Sequence, residues 1–174
     1  CAALVRHVNI GVTLVARLQS RERITAVLGD VRYNILSLRT TLAGYADLLP
    51  ALEQYLEEFS VQTGIDAHLA SEVDVSRLSP LAETQLVRIV QEALANVRKH
   101  AAARQVQIRL VARDGCLGVT VTDDGVGFDR VPNGKHFGLQ TMRERAESVG
   151  GGLTVTSAPA QGTQVTFWLP LAQP

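Results

Sequence analysis

Between residues 79 and 127 the hydrophobic period of the chain changes once, from helical to strand-like, and the stretch then closes on DDGVG. Few folds accept that order. Ser79-Pro80 is a helix start, with Ser as the N-cap and Pro at the first helical position. The helix runs to about Ala102, with Val90, Ala93, Leu94 and Val97 on its apolar side. Val106, Ile108 and Leu110 then alternate as one strand and Leu117, Val119 and Val121 as the next, with Gly115 at the turn between them. Each helical residue turns about 100°. With Glu92 taken as zero, Asn96 falls near 40° and Lys99 near 340° on that geometry. A carboxylate, an amide oxygen and an ammonium thus share one narrow polar stripe. Hard Mg²⁺ prefers oxygen ligands and an ammonium meets phosphate, so the stripe suits a metal-bound polyphosphate. The acid and glycines at 123–127 suit close approach of backbone to a flat ligand.

Charge narrows the class. Lys plus Arg and Asp plus Glu both number 17, so there is no global basic field, and direct nucleic-acid binding is not expected. No apolar run approaches the roughly 18 residues of a membrane span. The 174 residues suffice for one core, or one domain plus an appendage. The first residue is Cys1 and nothing resembles a signal peptide, so the expectation is a piece of a longer protein, with any membrane attachment through segments upstream. Cys1 and Cys116 make no disulfide framework, which favours a reducing, cytoplasmic setting. Cys116, in a strand, reads as a packing residue.

Residues 24–42 carry Ile24, Val27, Leu28, Val31, Ile35, Leu38 and Leu42 at spacings of three and four, a strong amphipathic helix despite Gly29. A shorter helix over 3–19 precedes it. The pair reads either as a small helical cap or as half of a dimeric four-helix bundle. The expected division is therefore a partial helical bundle over 1–44 and a second domain over 45–174. Within the second, a helix is expected over 47–62, a strand over 65–70, a glycine-rich loop over 124–138 and a helix over about 139–149 stopped by Gly150-Gly151-Gly152. Strands over 153–157 and 163–169 flank an Ala-Pro-Ala-Gln-Gly turn. Mixed rather than alternating elements point to an α+β fold, a two-layer α/β sandwich with a largely antiparallel sheet.

Other phosphate motifs fail. Six residues separate Gly127 from Gly134-Lys135, where a P-loop needs four, and His136 stands where Ser or Thr belongs. GVGFDR lacks the third glycine of a dinucleotide fingerprint. His7, His68, His100 and His136 show no zinc spacing, and no nucleophile elbow exists. Taken alone, the Glu92–Asn96–Lys99 stripe resembles any solvated helix face. The whole order of helix stripe, two strands, DDGVG, loop, FGL, helix and GTQV is far more specific.

In that order residues 80–171 resemble the ATP-binding domain shared by sensor histidine kinases, gyrase, the Hsp90 chaperones and the MutL proteins. The details resemble the nitrate-sensor and DesK-like branch of histidine kinases. QEALANVRKHA looks like its N box, DDGVGF its G1 box, FGLQTMRERAESVGG its G2 segment and GTQVTFWLP its closing strand. Residues 24–66 look like the second bundle helix and domain entry. The resemblance implies ATP and Mg²⁺ as ligands, phosphoryl transfer to a histidine and thence to a response-regulator aspartate, and a homodimer through residues 1–42. It implies Asn96 as the Mg²⁺ ligand, Glu92 as the catalytic group orienting the metal's water or the attacking atom, and Lys99 and His100 near the phosphates. Asp123 would accept from the adenine amino group, Gly125 and Gly127 would let backbone close over the base, Gly138 would lie near the phosphates, and Thr163 would reach adenine through water. Arg143 and Arg145 would help with phosphate charge or pair with Glu144 or Glu147.

One departure stands out. His7 is followed by Val8 and Asn9 rather than an acid, so the expectation places the phosphoacceptor box upstream and His7 outside it. Residues 20–23 (SRER) close the helical hairpin abruptly. Three alternatives share parts of this reading: an anti-sigma-type serine kinase, which lacks the bundle that 24–42 suggests; an ATP-gated machine like gyrase or Hsp90, with Glu92 as base for water attack; and a nucleotide-free dimer scaffold, against which the intact Asn96, Asp123 and glycines count.

Overall fold

The structure, a computed structural model, describes residues 48–71, 73, 75, 77–129 and 137–172. The expected helices over 3–19 and 24–42, the division at residue 44 and His7 lie outside these residues. So do Gly134, Lys135 and His136.

Helix α1 spans Leu48–Thr63 and buries Leu48, Leu52, Tyr55, Leu56 and Phe59 on one face, packed on the first strand, β1, Asp66–Ser71. Gly64, at φ +73°, ends the helix, and its N–H reaches the Ser60 carbonyl at 2.9 Å. The Ser60 hydroxyl accepts from the Ala67 amide at 3.0 Å, tying helix to strand.

Helix α2, Pro80–Asn96, starts as its sequence predicts: the Ser79 side chain accepts from the Ala82 amide and Pro80 occupies the first turn. The cap is worth about 1 kcal/mol. Leu86, Ile89, Val90 and Leu94 on the same helix are completely buried, each worth about 1.5–3 kcal/mol. Packing, more than capping, therefore holds α2 in place. The expected end near Ala102 needs one correction. Regular helix stops at Asn96, and Val97–Ala101 form a wider π-helical turn that ends in left-handed Ala102 (φ 49°).

Strands β2 (Gln105–Arg113) and β3 (Cys116–Asp123) form a hairpin in which Arg113 faces Cys116. Its two-residue loop, Asp114-Gly115, has both φ positive (52° and 75°), the conformation that matches strand twist. Helix α3 covers Phe137–Glu147, two residues earlier at each end than expected. Phe137 and Gly138, assigned from sequence to the loop, form its first turn, where backbone N–H groups have no intrahelical partner and glycine costs little. The turn after α3 is closed by the Gly151 N–H on the Ala146 carbonyl at 2.9 Å. Strands β4 (Gly152–Ser157) and β5 (Thr163–Pro170) complete the sheet.

The strand order is β1-β2-β3-β5-β4, with β1 parallel to β2 and every other pair antiparallel. Val106, Ile108, Leu110, Leu117, Val119, Val121, Val165, Phe167 and Leu169 point to one buried face. Helix α3 packs on α2, β4 and β5 through buried Met142 and Ala146. The result is the α+β two-layer sandwich expected from the sequence. No helix among the described residues is long and apolar enough to cross a membrane.

Candidate functional site

A cavity of about 280 Å³ opens between α2 with its π turn, the C-terminal end of β3, the start of β5 and the first turn of α3. That volume lies just below the range for ligand clefts, roughly 300–1,000 Å³. Glu92, Asn96, Lys99 and His100 border one part of it, with Gly138; Asp123, Gly127 and Thr163 border it as well. Eight of the nine residues singled out from sequence thus meet in one place. Gly125 is the exception and does not line the cavity. A Cβ there would collide with the Ala101 carbonyl, so the glycine lets the loop lie on the end of the π turn.

The turn and the loop are joined directly. The Val126 N–H donates to the Ala101 carbonyl at 2.7 Å. The Val126 carbonyl in turn accepts from Ala160 N–H at 2.7 Å, so the turn between β4 and β5 clasps the loop from the other side. Gly127, at φ +59°, sits so close to the Ala158 carbonyl that any Cβ would overlap it. The glycines at 125 and 127 therefore serve backbone-on-backbone packing, and of the two only Gly127 borders the cavity.

Two adjacent carboxylates behave in opposite ways. Asp123 continues the inward parity of Val119 and Val121, and only 7% of it is exposed. Burial pushes its carboxyl above the usual carboxylate range, although the backbone N–H groups of Gly125 (2.9 Å) and Thr163 pull the other way; the neighbouring Asp124 charge adds to the rise. Asp124 points outward. Its Oδ1 accepts from the backbone N–H groups of Gln105 (2.9 Å) and Arg104 (2.8 Å), which hold its carboxyl below the usual range. Asp123 is a cavity acceptor, and Asp124 is a brace on the entry to β2.

Arg143 and Arg145 do not border the cavity. Arg145 donates to the Gln85 side chain at 3.3 Å, and Glu144 accepts from Gln140 rather than from an arginine. Sequence reasoning missed the apolar walls. Val121 and Val165 are strand residues legible as core but not as cavity lining, and Phe128 and Phe137 flank the opening. Phe137 is 85% exposed.

The donor set fits a magnesium-bound nucleotide. A carboxylate, a carboxamide and an ammonium on one helix face share a cavity with the buried Asp123 carboxylate and the Thr163 hydroxyl, between apolar walls that suit a flat base. Comparison with known proteins supports the nucleotide. An uncharacterised sensor-like histidine kinase of Chloroflexus aurantiacus is 35% identical over 151 residues, which are 82% of this chain and 25% of that protein. The signal transduction histidine-protein kinase/phosphatase DegS of Brevibacillus brevis is 32% identical over 87% of this chain and 39% of its own length. The nitrate/nitrite sensor protein NarQ of Escherichia coli is 32% identical over 95% of this chain and 32% of its own. The chain thus spans a quarter to two fifths of the length of these relatives. In fold it is similar to the histidine kinase domain of the Erythrobacter litoralis EL346 blue-light activated histidine kinase, with a TM-score of 0.66 over 80% of this chain and 74% of that one at 24% identity. Residues 82–173 match the histidine kinase-, DNA gyrase B- and HSP90-like ATPases, and the chain belongs to that family, on the branch occupied by sensor histidine kinases.

Proposed function

We propose that the chain is the ATP-binding catalytic part of a two-component sensor histidine kinase. It would work in the cytoplasm as a homodimer through residues 1–42, directing the γ-phosphoryl of ATP to a histidine and from there to an aspartate of a response regulator. The observation that carries this reading is the pairing, within one cavity, of the Glu92–Asn96–Lys99 stripe with the buried acceptor Asp123.

Each group has a task set by its chemistry. Asn96 offers a neutral oxygen to Mg²⁺, and Lys99 and His100 offer positive charge or N–H donors to phosphate. When bound, Mg²⁺ neutralises phosphate charge and aligns the transferring group. Glu92 orients the attacking atom, and most of the rate gain comes from positioning. Asp123, as a carboxylate, accepts from an amino group. A 6-oxo purine would set acceptor against acceptor there, which costs the bond and its desolvation. Gly127 keeps the loop backbone low enough for a base to lie over it. His7, followed by Val8 and Asn9, is not the acceptor of the phosphoryl group.

This reading is favoured over a serine kinase, a gyrase-like machine or a scaffold because the relatives that share most of this chain's length carry sensor-kinase names. Calorimetric titration with ATP, ADP and GTP, with and without Mg²⁺, tests it. Micromolar binding of adenine nucleotides, tightened by Mg²⁺ and absent for GTP, is the expected result. No binding of any of the three would return the scaffold reading.

A further inference from the structure

A serine behind the cavity touches the hydroxyl of one of the residues that border it. Ser157, the last residue of β4, faces inward without bordering the cavity. Its Oγ lies 2.8 Å from the Gly162 carbonyl oxygen, 3.0 Å from the Phe128 backbone nitrogen and 3.0 Å from Thr163 Oγ1. A serine hydroxyl has one proton to donate and two lone pairs that accept. The Gly162 carbonyl only accepts, so it takes the Ser157 proton. The Phe128 N–H only donates, so it fills one lone pair. The second lone pair faces Thr163, which must donate its own hydroxyl proton to Ser157. With that proton committed, Thr163 Oγ1 offers lone pairs alone to the cavity it borders.

We propose that Ser157 is a positioning residue for base specificity. By taking the Thr163 proton it makes Thr163 an obligate acceptor, so the cavity favours a purine with an amino group at C6 and disfavours a 6-oxo purine. The proposal rests on reading the cavity as a purine-nucleotide site. Asp123 and Thr163, paired across β3 and β5, then present acceptors side by side. A Thr163 hydroxyl released from Ser157 would turn and donate directly to a 6-oxo group, and part of the discrimination would be lost. The Phe128 bond gives Ser157 a structural role as well. A purely structural role would weaken every nucleotide alike, whereas the proton role changes their ratio.

The test is calorimetric titration of the 174-residue chain with ADP and with IDP, which differ at C6 and at the N1 proton that follows from it. Wild type is expected to prefer ADP. Ser157→Ala should lower the ADP-to-IDP preference about tenfold, equivalent to about 1.4 kcal/mol. Ser157→Thr, which keeps the hydroxyl, should restore it. Thr163→Val should also lower the preference, and adding Ser157→Ala to it should change the ratio no further, because no proton is left to release. Equal weakening of ADP and IDP by Ser157→Ala, or an unchanged ratio, overturns the proposal. Should thermal melting show Ser157→Ala unfolded, Thr163→Val decides alone, and an unchanged ratio there overturns it too. Wild type that binds neither nucleotide removes the underlying reading, and the proposal with it.

Discussion

Gly138, in the first turn of α3, leans directly on Glu92 of α2: a Cβ added to the glycine would collide with Glu92 Oε1 and come within 3.5 Å of Asn96 Nδ2. The contact joins the helix that carries the polar stripe to the segment that follows the glycine-rich loop. It also makes Gly138 a sensitive point for function and an insensitive one for folding. The atom in the way is the end of a flexible side chain, so Gly138→Ala should leave stability within about 0.5 kcal/mol. Displacing the carboxylate should weaken MgATP binding about three- to tenfold, the net scale of one ordinary hydrogen bond. Thermal melts and titrations on the same protein separate the two effects, and a drop in stability with normal binding would refute the contact.

Asn96 is only half-buried and does not carry the core. Asn96→Ala should therefore melt like wild type. Its affinity for ATP should become insensitive to Mg²⁺, with a ratio of dissociation constants near one with and without the metal, where wild type shows a clear gain. A variant that still gains affinity from Mg²⁺ would remove Asn96 from the metal's coordination.

Asp123 makes a prediction about pH. Its carboxyl is raised in the folded protein, chiefly by burial. A raised acid contributes stability that is fully present below its unfolded pKa, about 3.9, and is lost as pH rises through the folded value. At neutral pH its charge is a cost to the empty protein, so Asp123→Asn should not lower the melting temperature there, while adenine-nucleotide affinity should fall at least tenfold because an amide can present a donor where an acceptor is needed. In wild type, ADP affinity should decline on acidification with a midpoint above the usual carboxylate range. A midpoint below that, or a variant that binds ADP normally, would contradict the role.

Asp124 behaves in the reverse sense. Its carboxyl is lowered by two backbone N–H donors, so its contribution is present above the unfolded pKa and disappears as pH falls through the folded one. Asp124→Ala should be less stable than wild type in denaturant unfolding at pH 7, and the two curves should converge in acid. A gap that persists in acid would mean the side chain does more than accept from Arg104 and Gln105.

Much of this was legible along the chain. Ser79-Pro80, the apolar spacing on α2 and the alternation through Val106, Ile108 and Leu110 dictate a helix followed by paired strands, because helix and strand present side chains at different periods. The Glu92–Asn96 stripe follows from the same arithmetic. What the sequence could not show depends on contacts between distant segments. The π turn at Val97–Ala101 is invisible in a helix-compatible run of Arg98, Lys99 and His100, since it ends where the Val126 N–H captures the Ala101 carbonyl. Arg145 meets Gln85, sixty residues away, not the cavity. Ser157 is an ordinary residue at a strand end until folding brings Phe128, Gly162 and Thr163 around its single hydroxyl. Local periodicity decides which elements form and which faces are apolar. Only the closed structure decides where each proton goes, because a hydroxyl or carboxylate takes its role from partners that the chain supplies from elsewhere.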